Sequence, residues 1–491
     1  MVTLRVKLGR YDTSTTSEGI MEIKFGTSGW RAIIADEFTF ANVRICSQAI
    51  ADHLKGIGQT QGVIIGSDAR FMSSRFMEVA AEVFAGNNIK AFLCTRDTPT
   101  PVISFEILRR KLSGGINFTA SHNPPEYQGL KFSPAWGGPA LPETTSDIEK
   151  RANEIMKNSS VKRLPLAEAM AKGLIEKINP MDTYLDELRR KINLAAIKEA
   201  NLKILVNPLY GTARGYLDQI LKEAGCEITV MNDNLDPYFG NQPPEPSEAH
   251  IPDMIARMKQ GHFDLGLATD GDADRFGVLG PNGRFYEPNQ ILGMLLDHLK
   301  TTRDWPGAAA RSVATSHLVD AVAKHHKIEL IETAVGFKFL GDLIAHDKII
   351  MGGEESAGMS IRGHVPEKDG IIACLLVAEM VAMQKKPIAK ILDDLYAKVG
   401  TYLTRRVNFR LTESEKTKAV ANMKNDPKEV AGYKVKQVVR IDGTKCILEN
   451  GAWVLVRFSG TEPVVRFYAE AHDEAALDRL CSQGEAFVKG A

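Results

Sequence analysis

Three aspartates lie close together in the sequence, at Asp270, Asp272 and Asp274, with only small residues between them. A cluster that offers only oxygen ligands suits a hard divalent cation such as Mg²⁺ rather than zinc. An EF-hand calcium loop is excluded, because its sixth position should be glycine and is Arg275, and its twelfth should be glutamate and is Pro281. A solvated acidic turn is the alternative. Since crowded carboxylates repel one another unless a cation neutralises them, the spacing predicts a Mg²⁺ site.

A second polar loop contains Ser121, which lies between Ala120 and His122 and just before Asn123-Pro124-Pro125. The two prolines are expected to turn the chain sharply. A serine beside a histidine is a candidate nucleophile, and a purely structural turn is the alternative. Lys131, ten residues further on, could return to the same site as a cation or a proton carrier, or could be an ordinary solvated lysine.

A third polar loop combines two arginines with hydroxyl groups and a flexible glycine, at Arg457, Ser459, Gly460, Thr461 and Arg466. This set suits a phosphate dianion, because arginine can bind phosphate through two parallel N–H groups and glycine lets backbone N–H groups approach. An ordinary hairpin turn is the alternative.

Two further loops carry weaker signals. Glu354 and Ser356 offer acceptors and a donor suited to sugar hydroxyls, and capping of a following helix is the alternative. Residues 26–31 form a loop of mostly small residues that ends in Arg31. No single loop decides the function. A metal site, a candidate phospho-acceptor serine, a hydroxyl-binding loop and a phosphate clamp together describe phosphoryl transfer on a sugar phosphate.

The hydrophobic pattern around these loops repeats three times as strand, helix, strand, helix, strand, which is typical of an α/β unit. The predicted strands are residues 63–65, 91–93 and 115–118, then 203–206, 228–230 and 265–268, then 312–314, 329–331 and 349–351. The last strand of each copy runs directly into a polar loop. Because open α/β sheets bind ligands at the carboxyl ends of their strands, we expect the three loops to face a shared cleft.

The pattern changes after about residue 401. A helix is predicted at residues 412–423, then four short strands around Val435, Cys446, Val454 and Val465, and a last helix at residues 474–488. This order predicts a smaller α+β domain that carries the third polar loop.

Length and composition limit the function further. A chain of 491 residues predicts three or four domains, at roughly 100–200 residues per domain. Sixty-one basic against 61 acidic residues leave no basic surplus for non-specific nucleic-acid binding. The longest apolar stretch, residues 370–383, falls short of the roughly 20 residues that span a bilayer, so no membrane association is expected. Six cysteines without a CxxC pair indicate reduced thiols and a cytoplasmic protein. Residues 1–20 lack a secretion signal and predict a flexible tail.

Five motifs in one order resemble those of the α-D-phosphohexomutase family, at residues 25–31, 119–124, 270–275, 353–358 and 457–463. Each alone is weak, but the ordered set covers almost the whole chain after Met21. The resemblance implies three similar mixed α/β domains and a C-terminal α+β domain of TATA-binding-protein-like fold around a central cleft. With the repeat, it predicts domains at residues 21–195, 196–305, 306–402 and 403–491.

The resemblance also implies a role for each matching residue. Ser121 matches the family's phosphoserine, and Ser121 with Asp270, Asp272 and Asp274 matches the Mg²⁺ ligand set. The positions around the reacting phosphate are matched by Arg31, His122, Lys131, Arg275 and Lys368. The sugar-hydroxyl ligands are matched by Glu354 and Ser356, with Lys338 as a further substrate-binding residue. The distal phosphate clamp is matched by Arg457, Ser459, Gly460, Thr461 and Arg466.

Residues 353–358, which we call the sugar loop, contain Glu354-Glu355-Ser356, and this Glu-Glu-Ser form looks like that of phosphoglucomutases. The resemblance therefore implies conversion of glucose 1-phosphate to glucose 6-phosphate, with Mg²⁺ as cofactor and glucose 1,6-bisphosphate as intermediate and activator. A phosphomannomutase or a dual-specificity enzyme is the first alternative. A non-catalytic sugar-phosphate sensor and a metal phosphatase are alternatives from other classes. The implied partners are hexose phosphates, and the chain is expected to be a monomer or a dimer.

Overall fold

A computed structural model describes residues 22–26, 29–158, 160–458 and 464–489. The tail predicted at residues 1–20 lies outside these ranges. Within them, no helix combines the length and the apolar character that crossing a membrane requires. The structure contains four sheets in chain order, one in each of the four predicted domains, and we call the corresponding parts of the chain units 1 to 4.

Unit 1 is built on a six-stranded sheet of order β1-β5-β4-β2-β3-β6. Its strands are β1 (Trp30–Ile33), β2 (Val63–Ser67), β3 (Ala91–Cys94), β4 (Gly114–Phe118), β5 (Tyr127–Pro134) and β6 (Ile175–Ile178). Its helices are α1 (Phe40–Gly56), α2 (Ser73–Gly86), α3 (Thr100–Arg110), α4 (Pro142–Asn158), α5 (Leu166–Ala171) and α6 (Met181–Lys191). The strands β4, β2, β3 and β6 are parallel, whereas β5 runs antiparallel to β4 and to β1. The three strands predicted here are confirmed as β2, β3 and β4.

Unit 2 has a five-stranded sheet of order β11-β10-β9-β7-β8. Its strands are β7 (Lys203–Asn207), β8 (Glu227–Val230), β9 (Leu265–Thr269), β10 (Phe276–Leu279) and β11 (Phe285–Tyr286). Its helices are α7 (Leu194–Ala200), α8 (Leu217–Glu223), α9 (Pro252–Gln260) and α10 (Pro288–Thr302). The domain boundary predicted between residues 195 and 196 falls within α7, and the boundaries stay predictions.

One helix of unit 2 is shorter than the sequence indicated. The apolar pattern after the strand at residues 203–206 predicts a helix over residues 212–224, whereas α8 begins at Leu217. Residues 212–216 form turns instead, and the backbone N–H of Thr212 donates to the carbonyl oxygen of Gly271 at 3.0 Å. These turns therefore support the loop that carries the three aspartates.

Unit 3 has a four-stranded sheet of order β13-β12-β14-β15. Its strands are β12 (Ala308–Ser312), β13 (Leu330–Thr333), β14 (Ile349–Glu354) and β15 (Gly358–Ile361). Its helices are α11 (Leu318–His325), α12 (Phe337–Ala345), α13 (Gly370–Gln384) and α14 (Ile388–Val399). The apolar stretch that was judged too short for a membrane is α13, which is buried along nearly its whole length between units 2 and 3.

The strand predicted at residues 312–314 is wrong. The structure places β12 at Ala308–Ser312, and the following Val313 and Ala314 pack against Trp453 and Leu455 of unit 4. Three consecutive alanines in β12 give no β-branched signal although they are buried, while the signal from Val313 comes from a contact between units.

Unit 4 has an antiparallel sheet of order β16-β21-β20-β19-β18-β17, so the predicted α+β character is confirmed. Its strands are β16 (Leu403–Arg410), β17 (Glu429–Val430), β18 (Tyr433–Val439), β19 (Thr444–Leu448), β20 (Trp453–Phe458) and β21 (Val464–Ala471). Its helices are α15 (Glu413–Lys424) and α16 (Glu474–Lys489). The prediction missed β16, an edge strand whose exposed arginines hide its alternation.

Candidate active site

The loop after β4 brings Ser121 to the edge of unit 1. Ser121 is 2% exposed and has a positive φ of 53°, a left-handed conformation that is uncommon for a residue with a side chain. Its backbone N–H donates to Thr119 Oγ1 at 2.8 Å. Its hydroxyl group donates to Asp270 Oδ2 of unit 2 at 2.8 Å. The candidate nucleophile therefore contacts the candidate metal loop across two units.

The three aspartates occupy the loop between β9 and β10, and all three are fully buried. One oxygen from each of Asp270, Asp272 and Asp274 lies within 4.8 Å of the others. A Cβ atom at Gly271 would lie 2.9 Å from the carbonyl oxygen of Ser121, so only glycine lets the two loops approach this closely. The predicted carboxylate cluster is thus assembled, and it lies against Ser121.

Two lysines neutralise part of this negative charge. Lys131 lies on β5, and its Nζ donates to Asp272 Oδ2 at 2.6 Å and to Asp274 Oδ2 at 3.0 Å. Lys368 of unit 3 donates to the same oxygen of Asp274. Thr100, at the start of α3, donates to Asp272 Oδ2 at 2.5 Å. The triad is therefore contacted from units 1 and 3.

The charges of this cluster shift the pKa values of its members in opposite directions. Burial and the charges of Asp272 and Asp274 raise the pKa of Asp270 well above its ordinary value. Burial also acts to raise the pKa values of Asp272 and Asp274, but Lys131 and Lys368 outweigh it and lower both. Burial acts to lower the pKa of Lys131, yet Asp272 and Asp274 raise it above its ordinary value. Asp272 and Asp274 therefore stay ionised, with ammonium groups as counterions.

The residues present fit a divalent cation. Among the described residues, no donor forms a hydrogen bond with Oδ1 of Asp272 or Oδ1 of Asp274, although both atoms are buried. A buried polar atom left without a partner costs roughly 1–3 kcal/mol, and more when it is charged. A cation bound between these two oxygens and Asp270 would remove that cost. The all-oxygen donor set is the kind that Mg²⁺ prefers.

Three further predicted residues lie around Ser121. His122 Nδ1 is 3.4 Å from Ser121 Oγ. Burial, with the charges of Arg275 and Arg31, lowers the pKa of His122 far below its ordinary value, so its imidazole is neutral. Arg31 donates to Asn123 Oδ1 at 2.7 Å, and Arg275 lies 3.9 Å from Asp274 Oδ1. The structure therefore gathers all five predicted catalytic residues in one place.

The predicted sugar loop lies at the end of β14. Glu354 is 4% exposed, and its Oε1 accepts a hydrogen bond from the backbone N–H of Gly336 at 2.7 Å. Burial and the neighbouring Glu355 raise the pKa of Glu354 to about 7. Ser356 is half-buried in the turn that leads to β15. A carboxyl group and a hydroxyl group are thus held on one short turn.

Lys338 is not joined to these groups. Its ammonium lies 5.4 Å from the centroid of the Phe339 ring, and burial lowers its pKa. In the described part of the chain, no hydrogen bond or ion pair connects Lys338 to the triad or to Glu354. Its predicted role in substrate binding stays a prediction.

The two clamp arginines are direct neighbours on unit 4, because Arg457 on β20 pairs with Arg466 on β21. Arg457 donates through Nε and Nη2 to the two carboxylate oxygens of Asp442, at 3.1 and 2.8 Å. Asp442 also accepts from the backbone N–H of Val335 at 3.1 Å, one residue before Gly336. Arg457 is therefore linked to Glu354 through Asp442 and the backbone of residues 335–336. Ser459, Gly460 and Thr461 fall outside the described residues.

Sequence reasoning missed several residues that shape the site, namely Asp68, Arg70, Thr100, Glu367 and Asp442. Asp68 and Arg70 directly follow β2, so the rule that strand ends carry functional loops could have found them. Thr100 and Asp442 gave no such signal, because each acts through contacts that only the folded chain brings together.

Comparison with known proteins agrees with this geometry. Four models of phosphoglucomutase/phosphomannomutase domains match in order: alpha/beta/alpha domain I at residues 22–159, domain II at 182–283, domain III at 287–399 and the C-terminal domain at 407–484. A phosphoglucomutase from Komagataeibacter xylinus is 32% identical over 97% of this chain and 92% of its own length. A phosphoglucomutase/phosphomannomutase from Thermococcus kodakarensis is 29% identical over 92% of this chain and 95% of its own. The crystal structure of a proposed phosphomannomutase from Thermus thermophilus has a TM-score of 0.83 at 30% identity, covering 96% of this chain and 99% of that one.

Proposed function

The chain belongs to the phosphoglucomutase/phosphomannomutase family and is therefore a phosphohexomutase, and within this family we propose that it interconverts glucose 1-phosphate and glucose 6-phosphate. The observation that carries the proposal is the hydrogen bond from Ser121 to the aspartate triad, with Lys131 and Lys368 beside it. The similarity to a phosphoglucomutase supports glucose as the sugar. A phosphomannomutase or a dual-specificity enzyme is the second candidate, supported by the relatives from Thermococcus and Thermus.

In the proposed reaction, phosphorylated Ser121 donates its phosphoryl group to the C6 hydroxyl of glucose 1-phosphate. The bond from phosphorus to Ser121 Oγ breaks as the bond to the C6 oxygen forms, which gives glucose 1,6-bisphosphate. The bisphosphate then reverses its orientation in the site and returns the phosphoryl group of C1 to Ser121, which leaves glucose 6-phosphate. We propose that His122, whose Nδ1 lies 3.4 Å from Ser121 Oγ, carries the proton that moves between the two hydroxyl groups, because the negative charge of a phosphoryl group on Ser121 would raise its lowered pKa.

Phosphoryl transfer spreads negative charge over the phosphoryl oxygens, so we expect electrostatic stabilisation to dominate catalysis. When bound at the triad, Mg²⁺ supplies charge neutralisation at those oxygens. Lys131 and Lys368 hold Asp272 and Asp274 in place, and Arg31 and Arg275 add positive charge on the Ser121 side of the loop.

The remaining residues would hold the sugar in both orientations. Glu354 and Ser356 are proposed to bind its hydroxyl groups. Arg457 and Arg466 are proposed to bind whichever phosphate is not reacting. Binding of this distant phosphate positions the attacking hydroxyl. The binding energy can therefore raise kcat as well as the affinity for the substrate.

The choice of sugar tests the proposal most directly. Glucose and mannose differ only at C2, whereas Glu354 and Ser356 are expected to hold the hydroxyls at C3 and C4, and shared contacts cannot discriminate between sugars. Measurable turnover of mannose 1-phosphate is therefore expected. Glucose 1-phosphate is expected to be preferred, in line with the similarity to a phosphoglucomutase. Parallel assays with glucose, mannose and N-acetylglucosamine 1-phosphates would measure kcat/KM for each. A preference for mannose would move the protein to the second candidate, and continuous release of inorganic phosphate would indicate a phosphatase instead.

The phosphate clamp gives another test. Arg457→Ala is expected to lower kcat/KM by about ten- to a hundredfold, because a charge-assisted hydrogen bond contributes about 1.5–3 kcal/mol and 1.36 kcal/mol is a factor of ten. The capacity of Ser121 to carry a phosphoryl group and the affinity of the triad for the metal should not change, because no described residue of unit 4 contacts Ser121 or the triad. Arg405→Ala is the matched control, because Arg405 lies on the same sheet but pairs with Asp478 on the exposed side. Wild-type kcat/KM in Arg457→Ala would show that the loop is only a hairpin turn.

A further inference from the structure

One buried arginine holds the loop that carries Ser121. Arg70 lies just after β2 and is 2% exposed. Its Nη2 donates to the carbonyl oxygens of Ser121 at 2.8 Å and Asn123 at 2.6 Å. Its Nη1 donates to the carbonyl oxygens of Pro124 at 2.7 Å and Tyr127 at 3.0 Å. A single side chain thus binds four backbone carbonyl groups in seven consecutive residues.

The neighbouring Asp68 binds both Arg70 and the residue that holds the backbone N–H of Ser121. Its carboxylate accepts hydrogen bonds from Arg70 Nε and from the Arg70 backbone N–H, both at 3.0 Å. It also accepts from Thr119 Oγ1 at 2.6 Å, and the same Thr119 oxygen accepts the backbone N–H of Ser121. The N–H and the C=O of Ser121 are therefore both fixed by the Asp68–Arg70 pair, one through Thr119 and the other directly.

This support explains how Ser121 keeps its unusual backbone. A left-handed φ of 53° is unfavourable for a serine unless the surrounding structure imposes it. The loop is also buried, so its carbonyl groups need donors from the protein. The guanidinium group supplies donors in a planar fork, which lysine and neutral side chains cannot reproduce.

Arg70 also contacts unit 2, which carries the three aspartates. The Arg70 guanidinium lies 5.0 Å from the centroid of the ring of Phe239, a residue that is 2% exposed. Arg70 therefore fixes the Ser121 loop within unit 1 and against the unit that carries Asp270. Both constraints bear on the distance between Ser121 Oγ and the aspartates.

We propose that Arg70 is a positioning residue for phosphoryl transfer, which holds Ser121 in the conformation that aims its Oγ at the triad. The proposal rests on the function proposed above. Arg70 touches neither the sugar loop nor the distal phosphate clamp in the described part of the chain, so its loss should act on the chemical step and leave substrate affinity intact. Misplacement of a reacting group by about 1 Å can cost roughly a hundredfold in rate.

The test compares Arg70→Lys and Arg70→Gln with the wild-type enzyme. Both variants are expected to lower kcat by about a hundredfold, with KM for glucose 1-phosphate unchanged within about threefold. The rate at which glucose 1,6-bisphosphate phosphorylates Ser121 should fall in parallel. In Arg70→Ala, added guanidinium should restore part of the lost kcat, which a merely structural defect would not show.

Arg303→Lys is the matched control, because Arg303 also pairs with a buried carboxylate, that of Glu379, but lies far from Ser121 along the chain and bonds to no member of the site as the structure describes it. It should lose stability without a comparable loss of kcat. The proposal is overturned if the Arg70 variants keep more than a third of the wild-type kcat, or if kcat falls only as much as in an equally destabilised Arg303→Lys.

A measurement on the wild-type enzyme covers the case in which the variants fail to fold. The backbone N–H of Ser121 should exchange with solvent as slowly as those of the neighbouring strand β4. Exchange as fast as in an exposed turn would overturn the proposal. Failure of the proposed function is a separate result, since it would appear in the wild-type enzyme as the absence of hexose phosphate isomerisation.

Discussion

Ser121→Ala is expected to leave less than about 0.1% of the wild-type mutase rate, because loss of a covalent nucleophile removes the whole pathway through the phosphoenzyme. The fold should survive, since the variant loses only the hydroxyl that donates to Asp270. Ser104→Ala is the matched control. Ser104 is a buried serine of the same unit, but its hydroxyl donates to the carbonyl oxygen of Gly137, and that variant should stay active.

A second hydroxyl group near the triad competes with Ser121 as the candidate phosphate acceptor, so the assignment of Ser121 can be tested directly. Thr100 Oγ1 also donates to the triad, at 2.5 Å from Asp272, so it is the rival phosphate acceptor. Its Oγ1 accepts a hydrogen bond from Asn117 Nδ2 as well, which holds it in place between two partners. Phosphopeptide mapping of the purified enzyme should find the phosphate on Ser121. A phosphate on Thr100 would refute the assignment.

The same variant bears on the route of the reaction. Enzyme stripped of its phosphate should be inert until a trace of glucose 1,6-bisphosphate phosphorylates Ser121, and Ser121→Ala should not respond to this priming. Turnover by fully dephosphorylated wild-type enzyme without a primer would indicate direct transfer between substrates.

The chemistry of the site was easier to predict than its assembly. Asp270, Asp272 and Asp274 are three identical side chains at one strand end, so their spacing alone indicated a cation site, and the structure confirms the cluster. The strands β2, β3, β4, β7 and β9 were predicted well, because strands buried on both faces read as continuous apolar runs. The polar loops after β4, β9 and β14 followed from the same pattern. The strands β1, β5, β6, β10 and β11 of the same two units were not predicted.

Contacts between distant residues were harder to predict. Lys131 reaches the triad because β5 runs back along β4 and places it opposite Asn117, and no sequence signal marked β5 as a strand. The position of Arg70 after β2 could have marked it as a candidate, but its contacts are with backbone carbonyl groups, which every residue has and which therefore leave no pattern of residue types. Asp442 meets Arg457 only because β19 and β20 are paired, with a short turn before β19. In each case the contact depends on strand pairing or backbone geometry.

Removal of the metal is expected to abolish mutase activity, and addition of Mg²⁺ should restore it. The physical reason lies in the charges of the site, where three fully buried carboxylates would face the anionic phosphoryl group. Lys131 and Lys368 already bind Oδ2 atoms of Asp272 and Asp274, so they leave the two Oδ1 atoms without a hydrogen-bond partner among the described residues. Full activity in excess chelator would refute the metal site.

The variant Asp272→Asn tests whether the required Mg²⁺ binds at the triad or elsewhere. Asparagine keeps the shape of the side chain but loses the charge that attracts the cation. Because loss of even an outer-shell partner typically costs about 10–100-fold in metal affinity, the Mg²⁺ concentration for half-maximal activity should rise by at least about that factor. Titration calorimetry should give the same shift without substrate. Asp264→Asn is the control, since Asp264 is an exposed aspartate of the same unit whose carboxylate accepts the backbone N–H of Lys203. If both variants showed the wild-type Mg²⁺ requirement, the cation would not bind at the triad, and the two unpartnered oxygens would need another explanation.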